Sequence, residues 1–415
     1  MNRDEANRLA VTRLTESDPV FIDVGKAGDV VPGMKPNMIL TSGAPLAWEE
    51  YVGLQRQAIL WGAVFEGLAA TPEEAEARIQ RGEIVIGSTQ RLGCVGVHAG
   101  IYTASMSVQI VEDQETGTRG YCHFFEGDSP RRLGFGFYGE DVVQQLHFVE
   151  DVLAPTIGEA VRRTGGIPLQ PIAKRAVQFG DDLHARTVAG TLLITRALLP
   201  ALLDVARERE EDVRRTLKFL ETADHFFFRI WMAACKATLD AASNIIGSSI
   251  VTAMVFNCRG FAIRVSGLGD QWFRGPHQSF ESRISGGRWV VPEGCFTSGS
   301  DCVFSECVGL GAFSSAAAFM LQIYQGVPPR MMVERSLAMY GITHGEHPVF
   351  TIPFLSHRGA PVGIDIFKVV DSGTLPAFQG LVVDQEGGVV GSAVALPPVE
   401  CFHAAAAAYR KRYQL

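Results

Sequence analysis

His184 and Arg186 stand just behind Asp181 and Asp182, in front of a long apolar run. An imidazole, a guanidinium and free backbone N–H groups at a helix start suit a substrate carboxylate or carbonyl oxygen. The same spacing also fits a plain cap with a surface Asp182–Arg186 pair. Glu306 precedes Gly309 and Gly311 and a run that reads as a helix over residues 312–325. A glycine turn entering a helix is a general anion site, and Glu306 beside it is a natural acid–base group; packing glycines are the competing explanation. Asn257, Arg264, Ser266 and Gly267 surround two expected strands and a glycine turn, where backbone can approach a ligand closely. A hairpin with a flexible exit reads equally well there. Glu140 and Asp141 open another expected helix and add two carboxylates to the acid–base candidates.

Other patterns carry less. Gly134, Gly136 and Gly139 match a dinucleotide spacing, but no buried strand precedes them, and Glu140 and Asp141 would stand where a pyrophosphate must sit. Ser266 lacks the G-x-S-x-G elbow of a hydrolase nucleophile. His344 and His347 lack the i,i+4 spacing of a helical zinc site, and Cys295, Cys302 and Cys307 lack C-x-x-C spacing. Neither a metal nor a cofactor is expected. Cys302 and Cys307 lie in Gly/Ser-rich stretches and could be nucleophiles, although such cysteines more often pack as small hydrophobes.

The elements that must position these residues come from a chain of 415 residues, 47% hydrophobic and 20% charged, which can bury a large core. Lys plus Arg number 37 against 45 Asp plus Glu, a net charge of −8, so no basic footprint for nucleic acid is present. The polar N-terminus, the spread of eight cysteines and the lack of a bilayer-length run point to a cytoplasmic chain with reduced thiols. Strands are expected over 19–24, 83–87, 105–111, 119–125, 248–256 and 261–265. Helices are expected over 140–163, 181–208 and 211–245, with a capped start at Thr71-Pro72. Phe226 to Trp231 is apolar nearly all round and should be buried on several sides. Strands and helices do not alternate regularly, which predicts an α+β fold: two mixed α/β domains, residues 1–165 and 248–415, with a helical insert at 166–247.

Several blocks resemble the oxamate carbamoyltransferase YlbE/AllG-like family. They are Phe65-Glu66-Gly67, Thr103-Ala104-Ser105-Met106, Tyr121-Cys122, Glu126-Gly127 and Phe137 through Val142. Gly180-Asp181, His184, Arg186 and residues 196–198 follow, then residues 249–254, Asn257, residues 263–269, Trp272 and Phe273. Glu306, Gly309, Gly311, Gly363 and Asp365 carry the resemblance almost to the C-terminus. It implies an α+β fold and chemistry in which oxalurate and phosphate interconvert with oxamate and carbamoyl phosphate. It also implies an FdrA-like partner subunit and a carbamate kinase that uses the product. Thr187, Cys302, Cys307 and the tail at 383–388 depart from the family pattern, which suits another ureido or cyclic amide substrate.

The resulting expectation is an enzyme acting on the C–N bond of a small anionic ureido or amide compound. Arg264 or Arg186 would grip the substrate anion, with Asn257, Ser266, Gly267, Gly309 and Gly311 lining the site. His184 would polarise the carbonyl or move a proton, and Glu306, Glu140 or Asp141 would serve as acid or base. With phosphate as acceptor the chain is a carbamoyltransferase. With water it is a metal-independent amidohydrolase. A third reading is a non-catalytic subunit of an FdrA-containing complex, and the apolar helices also permit a homo-oligomer.

Overall fold

A computed structural model describes residues 2–281, 299–383 and 389–414. Cys295 and residues 384–388, singled out above, lie outside the described residues. A five-stranded sheet runs in the order Cys94–Val95, Arg119–His123, Ser107–Asp113, Pro19–Lys26, Ile167–Pro168. Ser107–Asp113 and Arg119–His123 form the expected antiparallel hairpin, in register with Val108 opposite His123. Asp113 closes its turn by accepting from Thr116 Oγ1 at 2.6 Å.

The Phe226–Ala241 helix lies directly on this hairpin. A β-carbon on Gly120 would stand 2.0 Å from the Ala233 carbonyl oxygen, so only glycine admits the helix so close. Every residue from Phe226 to Leu239 is buried, as the all-round apolar pattern predicts. The chain leaving Arg119–His123 meets the first turns of this helix, where the Phe125 ring lies against Arg229.

Smaller sheets complete the α+β architecture. Val251–Asn257, Gly260–Val265 and Phe273–Gly275 form an antiparallel sheet packed under the C-terminal helix Val399–Tyr413. Met38–Thr41 pairs in parallel with Val85–Ser88. Thr343–Ile352 pairs with Arg358–Ile364, and Val389–Leu396 is the middle strand of a further small sheet, antiparallel to Phe378–Val383 on one side and Ser279–Glu281 on the other. Apolar side chains from all three expected segments, among them Phe21, Leu198, Phe227, Met254 and Tyr409, meet in one cluster.

Three local expectations are corrected. The helix expected from Asp181 begins only at Val188, because Leu183 takes a left-handed φ of 61° and the Asp182 carboxylate folds residues 182–186 into a turn. The helix expected over 211–245 is two, Glu210–Thr222 and Phe226–Ala241. Residues 311–325 are not one helix but successive short turns, Gly311–Ala317, Phe319–Leu321 and Gln322–Gln325. Val188–Val205, moreover, is long and apolar enough to cross a bilayer by length and composition, against the expectation of no such run. In this fold 44% of it is buried, against the neighbouring helices Ala154–Thr164, Leu169–Gln178 and Phe226–Ala241.

Candidate functional site

His184 and Glu306 come together. His184 Nδ1 lies 2.8 Å and 2.9 Å from the two Glu306 oxygens, and both residues are buried. Glu306 Oε1 also accepts from the backbone N–H groups of Ala312 and Gln379. Nδ1 faces the Glu306 oxygens and is the ring's donor to them, which fixes the His184 tautomer, and the Cys302 thiol lies within hydrogen-bonding reach of the same ring. Burial opposes a charged imidazole, but the Glu306 carboxylate and the Cys302 thiol outweigh it and hold His184 well above the ordinary histidine range. The Phe228 ring stacks on His184 at 5.5 Å and 16°, which sets the imidazole plane. The left-handed Leu183 next door is the kind of strain that accumulates at working sites.

The backbone behind this pair is tied by carboxylates. Asp182 Oδ1 accepts from the N–H groups of His184 and Arg186, and its Oδ2 accepts from Gln379 Nε2 at 2.7 Å. Gly311 donates to the Asp182 carbonyl, and a β-carbon on Gly311 would stand 2.2 Å from Glu306 Oε1. The glycine turn before residue 312 does not await an external anion: its Ala312 N–H already holds the protein's own Glu306.

Asp301 organises a second edge. Its oxygens accept from Gly43 N, Thr89 Oγ1 and Gly96 N at 2.6–2.8 Å, joining three loops at one buried point. The loop from Gly96 to Gly100 carries His98 at a left-handed φ of 58°, with its ring against Phe135. His123 anchors this loop: Val97 N donates to Nε2, and Nδ1 meets the Phe124 carbonyl. That pattern requires a neutral ring, and burial pushes its pKa down to about 3.

Arg229, one residue beyond Phe228, is 3% exposed. Its guanidinium lies 5.6 Å from the Phe125 ring centre and 5.7 Å from that of Phe228. Among the described residues its Nε has no hydrogen-bond partner and no carboxylate lies within ion-pair distance. Cation–π contact contributes roughly 0.5–2 kcal/mol, whereas an unpaired buried ion costs several kcal/mol. Arg132 also reaches the Phe125 ring, donates to the Gly127 carbonyl, and is brought down to about 10 by burial. Glu126 accepts from Leu133 N and Gly134 N, so the glycine segment that matched a dinucleotide spacing wraps a carboxylate. Burial lowers the pKa of His98 and His225, with Arg132 and Arg229 adding to the effect at His98.

With this geometry in place, comparison with known proteins is informative. The chain is 30% identical over 417 residues to "Oxamate carbamoyltransferase subunit AllG" of Escherichia coli K12, covering 97% of this chain and 96% of that one. It belongs to the AllG family. The family model of that description matches residues 84–289 of this AllG-family chain. The "Uncharacterized protein YahG" of Escherichia coli K12 is 35% identical over 410 residues, covering 98% of this chain and 86% of that protein. A crystal structure of a conserved protein of unknown function from Enterococcus faecalis V583 superposes with a TM-score of 0.93. It is 32% identical and covers 99% of this chain and 98% of that one. The α+β fold expected from the sequence is thus shared by a solved structure.

The remaining sequence candidates of this AllG-family chain are placed elsewhere. Glu140 and Asp141 are exposed; Glu140 accepts from Gln144, and Asp141 pairs with Arg131 at 3.0 Å. As acid–base candidates they are corrected, because helix-start carboxylates here point to solvent. Arg264 is no free anion grip either: it pairs with Asp240 at 3.0 Å, and Asp240 also holds the buried Lys236. Arg186 is spent on the Gly180 carbonyl and on Asp181 at 3.5 Å. Ser266 donates to the Ala242 carbonyl, and Gly267 packs on Ser248. Asn257 donates to the Ala44 carbonyl behind the Gly43 turn. Gly309 turns against Pro361, whereas Gly311 belongs to the Glu306 cradle. His344 pairs with Asp365, and His347 accepts from Val349 and Phe350 N–H groups. Of the departing cysteines, Cys302 adjoins His184, while burial holds the Cys307 thiol well up. Sequence reading passed over Arg229, Asp301, His98 and Gln379. The signal for Arg229 was a lone cation inside Phe226-Phe227-Phe228-Arg229-Ile230-Trp231.

Proposed function

We propose that this AllG-family chain supplies the acid–base group of a carbamoyltransferase reaction on a small anionic ureido or amide compound, of the oxalurate/oxamate type. The observation that carries this reading is the buried His184–Glu306 pair, an imidazole held at Nδ1 by a carboxylate. A carboxamide nitrogen is a poor leaving group unless it is protonated as its C–N bond breaks. Phosphate oxygen attacks the ureido carbonyl carbon, and the C–N bond to the oxamate nitrogen breaks. His184, held protonated by Glu306, donates from Nε2 to that nitrogen. The products are carbamoyl phosphate and oxamate. In the reverse direction neutral His184 accepts the proton released as the oxamate nitrogen attacks carbamoyl phosphate.

The word "subunit" in the name of the Escherichia coli relative supports assembly with other chains, and the partner proposed is an FdrA-like protein. The purified chain, with and without that partner, is incubated with oxamate and carbamoyl phosphate, and oxalurate and phosphate are followed. Oxalurate formation that falls by two or more decades in His184→Ala supports the reading. Undiminished turnover in His184→Ala, or oxalurate breakdown that proceeds without phosphate, overturns it.

A further inference from the structure

We propose that Arg229 is the residue that receives the substrate carboxylate, beside the His184–Glu306 pair. This rests on the reading of that pair as the acid–base centre for a small amido acid. Arg229 is 3% exposed, its guanidinium lies near both the Phe125 and Phe228 rings, and its Nε has no hydrogen-bond partner among the described residues. A fold gains nothing from burying a cation without a partner, so a lone buried guanidinium marks the place of an anion that arrives from outside. Phe228 joins the two centres: one ring contacts the Arg229 guanidinium and stacks on His184. An anion on Arg229 is therefore one aromatic ring away from the imidazole.

The groups around Arg229 bear on the kind of anion. Arg229 and Arg132 are the two guanidiniums at the Phe125 ring, and Glu126 is the carboxylate adjoining it. His123 is neutral by its hydrogen bonds. Glu126 and Asp128 both face Arg132, so the Arg229 guanidinium, unpaired among the described residues, is the group left for an anion. The planar fork of Arg229 can hold both carboxylate oxygens, leaving the amide end of an oxamate-like acid free to lie toward His184. Arg132, whose Nη1 donates to the Gly127 carbonyl while its Nε is likewise without a partner among the described residues, adds to the field.

The test is a calorimetric titration of the purified full chain, and of Arg229→Met, Arg229→Lys and His184→Ala, with oxamate and separately with inorganic phosphate. Arg229→Met should weaken oxamate binding at least 100-fold while melting at or above the parent temperature, because an unpaired buried charge has been removed. Arg229→Lys should bind with an intermediate constant, and His184→Ala should bind oxamate within about fivefold of the parent. An Arg229→Met affinity within threefold of the parent overturns the proposal. So does a loss confined to phosphate, and so does a lowered melting temperature that Arg229→Lys restores without restoring binding. Should His184→Ala retain turnover while Arg229→Met loses oxamate, the acid–base reading fails and the carboxylate site stands.

Discussion

His184 and Glu306, 122 residues apart in sequence, meet through a single ring nitrogen, with Nδ1 2.8 Å from a carboxylate that two backbone amides also hold. The chain brings the two together by folding Asp182 over the Gly311 turn, so the imidazole and its counter-charge are anchored by the same backbone. A His so paired is oriented and held toward its protonated form.

The pH profile should report this pairing. His184 has its pKa raised, so it is protonated below the folded value, and activity that needs the acid falls as pH rises through it. The ion pair's contribution to stability follows the same sign: it is fully present below about 6.5, the unfolded value, and is lost as pH rises through the folded value. Glu306→Gln removes the counter-charge and leaves burial, which favours the neutral ring. The alkaline limb of the pH–rate profile should therefore move to lower pH, with turnover down by about two decades. An alkaline limb that stays in place in Glu306→Gln would dissociate it from His184.

Asp301 should behave as a positioning residue. Its carboxylate serves Gly43 N, Thr89 Oγ1 and Gly96 N at one buried point. Asp301→Ala strands three donors at about 1–3 kcal/mol each, enough to cost a large share of a domain's stability. Asp301→Asn keeps an acceptor and should fold with a smaller loss. In the folded Asn variant, KM for oxamate should rise more than kcat falls, since the Gly96–Gly100 loop shifts while His184 keeps Glu306. Steady-state kinetics alongside thermal melting separates these effects.

Arg264 and the Glu140–Asp141 pair should separate stability from activity. Arg264→Met breaks the link to Asp240, which also neutralises buried Lys236, so melting temperature should fall by several degrees. Turnover of the folded protein should stay within about threefold of the parent, in keeping with a scaffold ion pair. Glu140→Gln with Asp141→Asn should leave both quantities unchanged, because those side chains face solvent. A hundredfold loss of turnover in either variant would return these residues to the chemistry.

What could be read from the sequence divides along range. The Ser107–Asp113 hairpin and the buried Phe226–Ala241 helix were legible because period and turn chemistry are local signals. His184 and Glu306 each stood out as polar residues beside glycines, but their pairing is a long-range contact with no local trace. The paired aspartates at 181 and 182 imitate an N-cap; only the left-handed Leu183 delays the helix to Val188. Glu140 and Asp141 misled for a related reason: acids at a helix start satisfy the dipole equally well in solvent. Arg229 was hidden because a charged residue in a helix is ordinarily read as a solvated face, and here that helix has none.

The N-terminal helix should hold the C-terminal half through one buried side chain. Asn7, on the Arg3–Glu16 helix, donates to Ser249 Oγ and Asp365 Oδ2 and accepts from Ser249 N. Asp365 pairs with His344 at 2.6 Å and caps the Ile366–Ser372 helix through Phe367 N. Burial alone would raise the Asp365 pKa, but His344 and the Phe367 amide bring it below the ordinary value. Its stabilisation is therefore present above about 3.9 and lost as pH falls through the lower folded value. Asn7→Ala, which strands several of these groups, should cost about 2–4 kcal/mol near neutral pH. Asp365→Asn should lose stability at neutral pH and flatten the acid side of the stability curve. Denaturant titrations from pH 7 to pH 3 test both, and an acid slope that persists in Asp365→Asn would place the titrating group elsewhere.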